Sequence, residues 1–78
     1  MVKFLGQHVP PFMSPKVYTW WNGLTYANRK TYESDLDRLG MDTTHDQYYF
    51  STYEFKNLQA PTRRAIERLY KERFGGKV

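Results

Sequence analysis

Aromatic side chains, more than aliphatic ones, must build whatever core this chain possesses. Val, Ile and Leu together number only eleven of 78 residues, against seven Tyr, five Phe and two Trp. So few aliphatic side chains place the chain near the limit at which burial stops offsetting the entropy of ordering. Tyr and Trp bury a large apolar body but keep a polar tip that needs a partner, which suits interfaces as well as small cores. The expectation is one small domain, or a segment that completes its fold on a partner.

The composition removes several function classes. There is no Cys, which excludes disulfide scaffolds, Cys-based zinc or iron–sulfur sites and thiol nucleophiles, and favours an intracellular or organellar setting. The longest uncharged stretches, 4–15 and 17–28, run twelve residues each, well short of the roughly 20 that a membrane-spanning helix needs. Prolines break the apolar N-terminal region, and Lys3 is its only cation before Pro15. The expectation is neither a secretory signal nor a typical transit peptide. An organellar protein of this kind would carry an internal signal or be encoded in the organelle. The net charge of +4 divides evenly between the two halves. It permits acidic partners without demanding them.

The order of elements expected is mostly α. Residues 1–13 read as an extended arm, because Gly6 and the Pro10–Pro11 pair oppose helix. The arm is nonetheless apolar, through Phe4, Leu5, Val9 and Phe12 among others, so it reads as a strap for another protein's groove. Ser14–Pro15 is an N-cap followed by a first-turn proline. From there, apolar residues at helical spacing (Val17, Trp20, Trp21, Leu24, Ala27, Tyr32, Leu36, Leu39) predict one long helix over about 15–39, with Gly40 as its C′ residue. Gly23 weakens its middle, and the acids Glu33, Asp35 and Asp37 oppose the helix dipole at its end. A break near Asn28, with a second helix from about Thr31, stays open on those grounds.

Residues 41–60 read as an irregular aromatic connector. Thr44–Gln47 and Ser51–Glu54 fit capping-box spacing, while the run from Tyr48 to Tyr53 favours strand but has no partner strand. A C-terminal amphipathic helix over 61–74 is the clearest element. It opens at Pro61, lines Ala65, Ile66, Leu69, Tyr70 and Phe74 on one face, and stops at Gly75–Gly76. Its other face is charged, with Arg63–Glu67, Glu67–Lys71 and Arg68–Glu72 at i,i+4 spacing.

No catalytic, cofactor or metal site is expected. No nucleophile elbow, P-loop, dinucleotide fingerprint or zinc-protease motif occurs. His45–Asp46 is an orienting pair on paper, but adjacent loop residues rarely pair, so a solvated histidine is expected. Asp42, His45 and Asp46 lack the spacing of a calcium loop. The residues expected to carry function instead bind partners. They are Phe4, Leu5, Val9 and Phe12 of the arm; Trp20, Trp21 and Tyr26 of the aromatic sector; and Arg63, Arg64 and Arg68 of the last helix. Trp20 and Trp21 point about 100° apart on a helix, so one serves this chain's fold and the other needs an outside partner. Peripheral membrane contact is compatible with that. RNA is the competing partner, since residues 61–74 carry five cations against two anions.

Trp21-Asn22-Gly23-Leu24-Thr25-Tyr26 resembles the Trp…Gly-Leu-Ser/Thr-Tyr start of the small epsilon subunit of mitochondrial ATP synthases. The likeness stops there. Thr19 stands where that family has its Trp, Asn28-Arg29-Lys30 replaces its apolar helix, and membership does not follow. In composition (basic, aromatic, Cys-free, strap-like) the chain is similar to supernumerary subunits of mitochondrial respiratory complexes. That similarity implies a non-catalytic accessory subunit of a respiratory or ATP synthase complex, peripheral to the inner membrane. The alternative is a small basic ribosomal or other RNA-binding protein.

Overall fold

The computed structural model describes residues 14–75; the apolar arm, with Phe4, Leu5, Val9 and Phe12, lies outside them. The described chain is mostly helical, in the order α1 (Pro15–Asn22), α2 (Tyr26–Lys30), α3 (Glu33–Arg38) and α4 (Ala60–Phe74). Two 3-10 turns, Asp46–Tyr48 and Phe55–Asn57, lie between α3 and α4. The single helix expected over 15–39 is thus three short ones. Gly23 ends α1, and Thr25 begins α2 by accepting a hydrogen bond from the Asn28 amide at 3.1 Å. Neighbouring Thr31 and Tyr32 then turn the chain into α3. Thr25 competes with the helix for its own backbone, which is why Ser and Thr favour caps over helix interiors.

Both outer ends of this segment follow local chemistry. The Ser14 hydroxyl accepts from the Val17 amide at 3.2 Å and Pro15 occupies the first turn. At the end of α3, Gly40 takes φ +102°. The Met41 amide donates to the Leu36 carbonyl at 2.9 Å and the Gly40 amide to the Asp37 carbonyl at 3.2 Å. That pair of bonds is the Schellman closure, in which a left-handed residue lets two terminal carbonyls be satisfied. Leu36 and Met41 then both enter the core.

The core gathers side chains from along the whole described chain. α1 and α3 each pack on α4, and the Phe55–Asn57 turn packs on α1. Val17 and Trp21 of α1, Leu36 of α3, and Ala65, Ile66 and Leu69 of α4 are buried together. The stretch expected to be a connector supplies Met41, Phe50, Phe55 and Leu58 to the same cluster. Aromatic side chains therefore fill the space that a richer aliphatic composition would otherwise occupy. Neither capping box read in this stretch is used. The Asp42 carboxylate accepts instead from the Thr44 and His45 amides, at 2.9 and 3.0 Å. No helix among the described residues is long and apolar enough to cross a membrane.

Two charged side chains are buried with this core, beside the neutral Ser51 and Thr62. Asp46 is fully enclosed, its Oδ2 accepting from the Gln59 amide at 2.6 Å just ahead of α4. Its Oδ1 lies 2.6 Å from Nδ1 of His45, so the adjacent loop pair does form and His45 is not simply solvated. The imidazole rests against Tyr49 and Tyr53, which stack on each other at 5.0 Å. Arg29, only 5% exposed, is the second, and it organises the far side of the loop.

Candidate docking surfaces

Two of the depressions on the described surface stand apart, sharing no lining residue. The first is apolar and shallow, about 440 Å³, formed by Pro15, Lys16, Thr19 and Trp20 of α1 with Tyr70 of α4. Trp20 anchors it. Its indole meets Tyr70 and Phe74 edge-on at 5.2 and 5.7 Å and tilts against Tyr32 at 5.6 Å. Phe74 remains 49% exposed. Edge-to-face rings hold one another rigidly at low entropic cost, the quality expected of an interface anchor.

Helical geometry sorts the two neighbouring tryptophans. Trp21 is fully buried beside Phe50, which corrects its expected role as a partner anchor: it is a core residue of this chain. Trp20 alone reaches the surface depression. Tyr26, 62% exposed, belongs to the second depression and is not joined to Trp20.

That second cleft, about 400 Å³, is polar and lies over Arg29, between Tyr18, Asn22, Tyr26, Thr52 and Glu54. Arg29 Nε donates to the Trp21 carbonyl at 3.3 Å, Nη1 to those of Ser51 and Tyr53 at 2.9 and 3.1 Å, and Nη2 to that of Asn22 at 3.5 Å. Two of these carbonyls end α1, where a cation is favoured by the helix dipole. The guanidinium also lies 5.6 Å from the Trp21 ring and 5.7 Å from that of Tyr26. Burial pushes Arg29 below its ordinary value, opposed by the nearby charges of Tyr26 and Glu54. Its composition-level signal was nil, since a lone Arg in a sequence defaults to the surface.

The basic face of α4 is less available than its sequence suggests. Arg73 donates to Asp35 at 2.9 Å, and Arg38 donates to Glu72 at 2.9 Å. Hydrogen bonds from Arg73 and Arg38 hold the Asp35 carboxyl below the usual carboxylate range; Arg38 does the same to Glu72. Arg68 donates to the Leu39 carbonyl at 3.2 Å, and Arg63 to the Leu58 carbonyl. The expected Arg68–Glu72 pair is therefore replaced by contacts to α3 and its cap. Arg64 is exposed. None of Arg63, Arg64 and Arg68 lines either depression. Searches against protein-family models, curated proteins and solved structures find no match to this chain.

Proposed function

We propose that this chain is a non-catalytic accessory subunit that docks on other proteins of a large complex through the Trp20 face. The observation that carries the reading is an aromatic cluster that packs on the core and continues out to the surface. Trp21 fills the interior, yet Trp20, Tyr70 and Phe74 form a second, preorganised ring cluster at the surface. Rigid aromatic anchors around a shallow apolar hollow fit a protein partner better than a small polar substrate. The setting we propose is a respiratory or ATP synthase complex at the mitochondrial inner membrane, held peripherally. It rests on composition alone.

The test is affinity capture from mitochondria with the tagged full chain and its Trp20→Ala and Phe74→Ser variants. Phe74 is exposed and Trp20 half-buried against the core, so circular dichroism and a thermal melt first establish that each variant keeps the helical fold. Loss of co-purifying subunits with the fold intact supports the reading. Capture of RNA with a steep salt dependence, unaffected by either substitution, would replace it with the RNA-binding alternative.

A further inference from the structure

We propose that the cleft over Arg29 receives a carboxylate group presented by a partner protein. The floor of the cleft is a cation enclosed by protein, and no carboxylate of the described residues lies within ion-pair distance of it. Backbone carbonyls and two ring faces surround the guanidinium, so its hydrogen bonds are largely met, while Glu54 acts on its charge only from beyond ion-pair distance. A buried charge without a directly paired counter-charge is costly, and an anion placed at the mouth relieves it.

The unspent groups around that charge are mainly donors. The Asn22 Oδ1 accepts from the Phe55 amide at 2.9 Å, which fixes the orientation of the side chain and leaves its Nδ2 without a partner among the described residues. The hydroxyls of Tyr18 and Tyr26 likewise make no hydrogen bond to a described residue. A carboxylate is acceptor-only and offers about four lone-pair sites, the complement of such a lining. Glu54 opposes it from the rim, but that side chain is 67% exposed and turned toward Lys56 at 3.7 Å. It therefore limits affinity and selects for a ligand that enters on the Asn22 and Tyr26 side. That the carboxylate belongs to a protein rests on the docking reading above; the site itself does not.

The test is an amide- and guanidinium-detected NMR titration of the full chain with three N-acetylated tripeptides. One carries a central glutamate and a second the isosteric glutamine, both with amidated ends. The third is all glycine with a free C-terminal carboxylate. The expected result is a saturable shift of the Arg29 Nε–H and Asn22 Nδ2–H signals with at least one carboxylate peptide. Whichever peptide saturates identifies a side chain or a chain terminus as the source. Asn22→Asp keeps the bond from Phe55 but replaces a donor with a negative charge, and should abolish binding. Tyr26→Phe should weaken it, and Glu54→Gln should tighten it about threefold or more, as removal of a like charge predicts. An equal response to the glutamine peptide, or no saturable shift by about 20 mM of any of them, overturns the site. So does an Asn22→Asp variant that binds as tightly as the parent. Peptide binding alongside normal assembly of Trp20→Ala would retain the site and remove the docking reading.

Discussion

Arg29 and the α3–α4 seam are both places where cations tie separate elements together, and they do it by opposite physics. Arg29 is enclosed and faces carbonyls: it joins the end of α1 to the Ser51–Tyr53 stretch with no acid among its hydrogen-bond partners. Arg38 and Arg73 lie in the open and face acids, joining Asp35 and Glu72 across two helices. Exposed pairs gain little because water and salt screen them. A planar guanidinium that meets several enclosed carbonyls cannot be replaced by water without rearranging the loop. The buried cation therefore fixes the path of the chain, while the seam sets helix register and surface charge.

Four perturbations separate these regions. The largest effect is expected for Trp21→Ala, which empties the ring that Arg29 and Phe50 pack against. Loss of about 3–5 kcal/mol is comparable with the whole stability of a small domain. Thermal unfolding followed by circular dichroism should lose its cooperative transition. A sharp melt close to that of the parent would show that the core does not depend on Trp21.

Arg29→Met comes next, at about 3 kcal/mol, because several carbonyls lose their donor at once. Arg29→Lys should recover only a minor part of this, since an ammonium lacks the flat fork that reaches carbonyls on different segments. Full recovery with lysine in urea titrations would mean that charge, not geometry, is what the loop requires.

Asp46→Ala should cost about 2 kcal/mol by leaving the Gln59 amide without its acceptor at the start of α4. Hydrogen exchange is the sharper readout. The first turn of α4 should lose protection before the rest of the helix, whereas uniform loss along α4 would place Asp46's role elsewhere.

The seam should give the smallest change. Asp35 and Glu72 are held below their ordinary values by Arg73 and Arg38. Their contribution is thus fully present above the unfolded carboxylate range, near about pH 4. It is lost as pH falls through the lowered folded values. A slight fall in melting temperature on acidification, abolished in Arg38→Ala/Arg73→Ala, is expected, and about 0.5 M salt should mute it. An acid effect that survives the double substitution would show that the seam is not its source.

Local chemistry made the ends of elements legible. Ser14–Pro15, Gly40 and the stretch from Pro61 to Gly75 act through their own backbone preferences, so the sequence pointed to them directly. The cap at Thr25 was not legible, because the apolar period running from Val17 to Leu39 passes through it. The three short helices preserve that period because Leu36 and Leu39 must still face α4. The two surfaces were legible only in part. Spacing alone required that Trp20 and Trp21 diverge, though not which of them would face out. Tyr26 was singled out for its aromatic character, without the cleft it lines.

By itself, then, the sequence determined the helical class, the helix starts and stops governed by Ser, Pro and Gly, and the amphipathic face of α4. Tertiary structure alone decided that Phe50, Phe55 and Leu58 belong to the core, because aromatic residues in an irregular stretch have no period to reveal their facing. It also decided the burial of Arg29 and Asp46. A polar side chain goes inside only where distant backbone groups converge to satisfy it, and that convergence exists nowhere in the linear order of residues.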